Sequence, residues 1–297
     1  MIWCLLRATL IYCLLLLNVF PVVCDSKPPF EIKVFTQLIQ PGSIAYLSLS
    51  SQVPLSRIEC SFLDRSALFF KSPDTFSWKA LIGVDLETSP GDYLLTGTIW
   101  TVDGHSIAVR KAIRIRSKKF TIQRIRVNQK YVTLSPKNSE RAIKEAKKLE
   151  AIWEKVTPER IWKDSFVRPL SSRLTSGFGR RRIVNGETRS PHSGVDLKAK
   201  RGTPIKATNS GKVVLAEHLF FAGKTVVLDH GLGLYTVYAH CSKMMVKAGQ
   251  TVALGDIIGK VGSNAKYPNF YNSVISKRIS DEIELNMLFC LLSFPCE

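Results

Sequence analysis

A mainly β chain of two β units joined by a helix is what the 297-residue sequence predicts. Three observations lead there. Short apolar–polar alternations fill two long stretches, Gly, Pro and Asp turn formers punctuate both, and a single helical periodicity lies between them. The first unit spans residues 30–117 and contains "FEIKVF", "AYLSLS", "DYLLTGTIW" and "SIAVRKAIRI". Pro41-Gly42, Pro90-Gly91 and Asp103-Gly104 mark its turns, and strands at this spacing suggest an immunoglobulin-like β-sandwich. Trp78 and Trp100 are expected in its core, and His105, just after a turn, in a solvated loop. The unit shows no chemistry of its own, so binding or spacing is its expected work.

The pattern changes at Ser135-Pro136. Ala142, Ala146, Leu149, Trp153 and Val156 then recur at steps of three and four, which predicts an amphipathic connecting helix within 118–165, ended by Thr157-Pro158. From 166 to 262 the runs are β-type again, separated by Gly: "GTPIKA", "GKVVLA", "KTVVLDHGLGLYTVYAH" and "QTVALGDIIGKVG". They predict an antiparallel β-sheet domain. Gly262 is the last glycine, so 263–297 is compositionally an atypical tail, whose "MLFCLLSF" is expected either to fill a gap in the sheet or to aggregate.

Charge and compartment narrow the partners. With 42 Lys and Arg against 24 Asp and Glu, the chain carries a net charge of +18, which favours an anionic polymer or surface. Arg7 followed by "ATLIYCLLLLNVFPVVC" and polar "DSKPP" has the form of a signal peptide over 1–24. A cleaved leader, a retained N-terminal membrane anchor and acylation at Cys24 are the alternatives, in that order. Each predicts an exported, periplasmic, envelope or secreted protein and argues against nucleic acid as partner. Four of the seven cysteines, Cys60, Cys241, Cys290 and Cys296, lie beyond that segment, without metal or disulfide-scaffold spacing.

"SPHSGVDLKA" sets His192 four residues before Asp196. On a straight strand their Cα atoms would stand roughly 13 Å apart, too far to share a metal, so a bend at Gly194 is required before strand "VDL". The remaining histidines are His105, His218, His230 and His240. His230 is expected at a turn, His218 in a solvated loop, and His240 at the end of a strand, where it can reach a cleft. Cys241, next to His240, is expected on the opposite face.

Taken in order, "SGFGRRR" with "HSGVDL", "GTPIKATNSGKVVLA", "TVVLDHGLGLYTVYAHCSK" and "VKAGQTVALGDIIGKVG" resemble the lysostaphin-like zinc metallopeptidases over about 166–262. The resemblance implies that His192 and Asp196 are zinc ligands, that His240 is a catalytic histidine, and that the substrate is a peptide of peptidoglycan. The third ligand it implies is the second His of a His-x-His motif after the "GKVG" strand. "GSNAKYPNFYNSV" stands there instead, and no His follows residue 240. The expectation is therefore a metalloendopeptidase of impaired activity with half a Zn2+ site. The alternative is a noncatalytic wall-binding protein or regulator of a partner hydrolase. An altered reading of the gene after Gly262 accounts for both the lost motif and the shifted composition.

Overall fold

A computed structural model describes residues 28–72, 76–126, 134–163, 165–189, 191–262 and 272–277. The expected leader or anchor at 1–24, most of the tail, and Cys290 with Cys296 lie outside these residues.

The N-terminal unit is two four-stranded sheets around one core. Its strands are β1 (Phe30–Val34), β2 (Ile44–Ser51), β3 (Leu55–Phe62), β4 (Arg65–Ala67), β5 (Phe69–Lys71), β6 (Ser77–Gly83), β7 (Gly91–Thr101) and β8 (Ser106–Ile115). One sheet runs β1-β2-β6-β5 and the other β4-β3-β7-β8. Period-two burial explains the arrangement: Leu47, Leu49, Ala80, Ile82, Leu95, Ile99, Val109 and Ile113 point inward and form one cluster. Trp78 packs partly against that core. Trp100 is only half-buried, with the Arg57 guanidinium 4.9 Å from its ring centroid, so it differs from the core position expected. His105 is exposed and beside Asp103 at 3.1 Å.

Strand β9 (Ile122–Ile125) leads to helix α1 (Pro136–Trp153). Ser135 caps the helix by accepting the Asn138 N–H, and Pro136 occupies its first turn, where a missing N–H costs nothing. The helix ends at Trp153, three residues before Val156, which is exposed. Ala146 is exposed too, so the contact stripe differs from the predicted one. Leu149, Ile152 and Trp153 lie against Leu215, Leu219, Val227, Tyr235 and Val237.

The C-terminal unit contains β10 (Leu174–Ser176), β11 (Arg181–Val184), β12 (Glu187–Arg189), β13 (Val195–Leu197), β14 (Pro204–Lys206), β15 (Gly211–Leu219), β16 (Gly223–Asp229), β17 (Tyr235–Met244), β18 (Thr251–Val252), β19 (Ile257–Val261) and β20 (Asn272–Lys277). Its main sheet runs β10-β13-β20-β17-β16-β15-β18, with β19 also paired to β17 and β14 paired to β19. Strand β20 lies between β13 and β17. Residues 272–277 thus supply a strand after Gly262; "MLFCLLSF", expected to fill a gap or to aggregate, lies outside the described residues. The two units share one hydrophobic cluster in which Ile44, Leu81 and Leu86 join Trp162, Phe166, Leu170, Phe178 and the sheet core.

His230 departs most from expectation. It follows β16 as predicted, but it is fully buried. Its Nδ1 donates to the Ser210 carbonyl at 2.7 Å, its Nε2 faces the Thr236 hydroxyl at 2.8 Å, and Phe166 packs edge-on against the ring. The Thr236 hydroxyl stands 3.1 Å from that of Tyr238, which accepts the Thr208 N–H at 2.9 Å. Segment 157–162 straps over this turn: the N–H groups of Ile161 and Trp162 donate to the His230 carbonyl, and Leu232 N–H donates to Thr157 O. Gly231, at φ +87°, has no space for a Cβ, which would overlap the Glu159 carbonyl. His218 is exposed as expected but belongs to strand β15 and not to a loop.

Burial pushes the His230 imidazole down from 6.5 to about 4. Between those values the unfolded chain binds a proton that the native chain excludes. Stability is therefore full above about 6.5 and falls as pH drops toward about 4, by on the order of 3 kcal/mol from this group alone. Urea unfolding followed by tryptophan fluorescence across that range is expected to show the loss, and His230→Gln to flatten it.

Candidate metal site

Strand β13 is three residues long and wholly buried, and Asp196 is its centre. The chain bends at Gly194 immediately before it, the geometry that the His192–Asp196 spacing demands. His192 Nε2 and Asp196 Oδ1 consequently stand 3.3 Å apart, with both side chains about 95% buried (5% and 4% exposed).

The other ring nitrogen fixes the orientation. His192 Nδ1 is 3.1 Å from the Gly177 carbonyl, which can only accept, and 3.2 Å from Ser176 Oγ. Nδ1 donates to that carbonyl and Nε2 is turned to Asp196, the orientation of a metal-ligating histidine held by an outer partner. Strand β10 also braces the carboxylate's backbone: Ser176 pairs with Asp196, and the Thr175 hydroxyl donates to Asp196 O at 3.0 Å.

His240 reaches the same place by an unusual backbone. It lies inside β17, not at its end as expected, and has φ +58°. Up to Tyr238 the strand pairs with β20, and from Cys241 with β19. The register with β16 shifts over the same residues, between Lys224 and Val226. This kink is a β-bulge in which the left-handed residue re-aims a side chain. The ring is partly buried and lies within electrostatic range of Asp196, Arg182 and His192. Burial chiefly holds its pKa below the ordinary histidine value, with Asp196 opposing and Arg182 and His192 adding to it. Arg182 on β11 also faces Asp196 electrostatically, while burial lowers its own pKa. Cys241 is buried, and its thiol lies 3.7 Å from the Tyr238 carbonyl. Burial pushes that thiol up to about 11, which disfavours the thiolate a metal needs.

Residues 190–278 match the family model described as Peptidase family M23. A crystal structure described as a peptidase M23 from Pseudomonas aeruginosa matches 84% of this chain and 94% of its own, with a TM-score of 0.63 at 26% identity. Most of the C-terminal β domain is thus similar to peptidase family M23.

Among curated relatives, the peptidoglycan DD-endopeptidase ShyA of Vibrio cholerae is 38% identical over 95 residues, 32% of this chain and 22% of its own. The uncharacterized lipoprotein YgeR of Escherichia coli is 40% identical over 73 residues, 24% of this chain and 29% of its own. The chain thus spans less than a third of the length of either relative.

Within this domain the His192–Asp196 pair has donor chemistry that suits zinc, one imidazole nitrogen and one carboxylate oxygen. A catalytic zinc normally takes three protein ligands, and among the described residues no group of three His, Cys, Asp or Glu side chains stands together. On the backbone register, position 273 on β20 pairs directly with Asp196. The structure therefore brings His192, Asp196 and His240 into one region and leaves His105, His218 and His230 out of it. Sequence reasoning missed Ser176, Gly177 and Arg182; "SGFGRRR" marked the segment, but no periodicity tells which atoms of a loop turn toward a histidine.

The strained backbone at residue 240 is measurable. Ala is normally favoured over Gly in a strand by roughly 0.5–1 kcal/mol. At a left-handed residue that order reverses, so His240→Gly is expected to be more stable than His240→Ala by about 1 kcal/mol. Chemical denaturation of the two variants gives the comparison directly.

Proposed function

We propose that this chain is an exported cell-envelope protein of the M23 metallopeptidase class that engages peptides of peptidoglycan, and that its hydrolytic activity is impaired for want of a third zinc ligand. The observation that carries this reading is the buried His192–Asp196 pair, with Nδ1 anchored and Nε2 turned to Asp196, beside His240 on an M23-like frame. The substrate class is supported by ShyA, which is named a peptidoglycan DD-endopeptidase. Export is supported by the apolar run after Arg7 and by the YgeR relative, named a lipoprotein. Among the described residues no helix is long and apolar enough to cross a membrane.

His192 and Asp196 are the residues that would hold zinc. Zinc held there would supply a Lewis acid to polarise a scissile carbonyl and acidify water. His240, partly exposed and kept neutral by its burial, is suited to hold or pass a proton at the peptide's reacting atoms. The net charge of +18 suits an anionic wall polymer as the surrounding matrix.

Ser273→His places a nitrogen donor cross-strand from Asp196, where Cβ atoms lie about 4.5–5.5 Å apart. Zinc content measured by atomic absorption is expected to rise from little to about one per chain, with hydrolysis of purified peptidoglycan peptides appearing alongside. Adding His192→Ala to that variant should remove both. A wild-type chain that already holds zinc and cuts overturns the impairment. A folded Ser273→His chain that takes up no zinc overturns the assignment of His192 and Asp196 as ligands.

A further inference from the structure

The loop that orients His192 is seated in the N-terminal sandwich. Residues 176–180 contact His192 four times: Ser176 Oγ and Gly177 O at its Nδ1, Gly179 N–H donating to His192 O at 2.8 Å, and His192 N–H donating to Arg180 O at 2.9 Å. The middle residue of the same loop, Phe178, turns away and is 6% exposed, within the cluster that contains Ile44, Leu81 and Leu86.

Its seat is built for a ring. Gly42, at φ +80°, lies beneath it so closely that a Cβ there would stand 2.5 Å from Phe178 Cε1 and 3.0 Å from Leu86 Cδ1. Gly42 N–H donates to the Val84 carbonyl at 2.9 Å, and Val84 N–H donates back to Ser43 O at 2.9 Å, so the Pro41-Gly42 turn and the Val84–Leu86 segment form one hydrogen-bonded notch. Gly179 is equally constrained: at φ +73° it leaves no room for a Cβ, which would overlap the Phe120 ring. Past the loop, Arg181 forms an ion pair with Glu87, Arg181 N–H donates to Thr121 O, and β11 pairs in parallel with β9. Every residue from 178 to 181 that is not holding His192 is thus gripped by the sandwich or by the segment following it.

We infer that Phe178 is a positioning residue, and that the N-terminal sandwich acts through it to hold the His192 imidazole in its ligand orientation. The sandwich is then a structural part of the metal site and not a detachable binding or spacing module. This goes beyond the proposed function and rests on it only for the word ligand; the orientation of His192 is a property of the apo chain. The physical route is short. Interiors are close-packed and transmit displacement instead of absorbing it. With Phe178 removed, the loop loses its seat and the Gly177 carbonyl loses its fixed place at Nδ1.

The test uses the full chain labelled with 15N-histidine, reading the tautomer of each imidazole at neutral pH. In the wild type His192 is expected in a form that carries a proton on Nδ1. In Phe178→Ala the population outside that form is expected to rise roughly tenfold, the equivalent of about one hydrogen bond lost, while the His230 signals, from a network elsewhere in the same domain, stay in place. Phe178→Leu, which refills the notch, should restore the wild-type spectrum. Leu86→Ala, which touches no atom of His192, should reproduce the Phe178→Ala change from the sandwich side and carries the test should Phe178→Ala not fold. His192 signals unchanged in the folded variants overturn the inference, as does a change that spreads equally to His230. Zinc uptake of Phe178→Ala in the Ser273→His background separates the two claims. An altered tautomer with no zinc uptake even in Ser273→His alone leaves the seat standing and removes the metal.

Discussion

A β-strand has one hydrogen-bonding edge on each side, and β17 must serve two neighbours on the same side. Up to Tyr238 it is paired with β20, and from Cys241 with β19. The exchange takes place across two residues and is possible only because His240 adopts a left-handed backbone that bends the strand. The rest of the site follows from this bend. Gly262 has to lack a side chain because a Cβ there would overlap the His240 carbonyl, and β20 is left free to run beside β13, bringing Asp196 into register with the middle of the sheet. Conformational strain sits at the residue whose ring faces His192 and Asp196, which is where strain commonly accumulates in sites that do chemistry.

Much of the architecture could be read from the chain alone because it rests on local rules. Period-two alternation located the strands of both units, and the Gly231–Gly233 turn located the hairpin of β16 and β17. Ser135-Pro136 marked the start of α1 through cap chemistry. The bend before "VDL" followed from the reach of two donor atoms, and the structure has it at Gly194. Cys241 is buried in the core of the sheet.

What was not legible depends on partners distant in sequence. His230 next to two glycines has every local mark of a turn residue; its burial comes from Phe166, Ser210 and Thr236, which only the folded sheet assembles. The helix stripe was misjudged at Ala146 and Val156 because periodicity gives a face but not the extent of the surface it meets. The sandwich looked like an independent module because nothing in its composition reveals that Ile44, Leu81 and Leu86 belong to the other domain's core. His240 was expected at a strand end because no rule of alternation anticipates a single left-handed residue within one.

The place of β20 has a consequence for how the domain comes together. It is the last strand among the described residues, yet it occupies the interior of the sheet, with β13 on one side and β17 on the other. Until it arrives, β13 and β17 are two unpaired edges facing one another across a strand-wide slot, each able to template pairing with a foreign chain. Closure of the slot is a long-range event that has to wait for residues 272–277 to be available. The segment is therefore needed for solubility whether or not it carries a metal ligand, so selection on folding alone is enough to retain a β-forming stretch there even where selection on chemistry has lapsed.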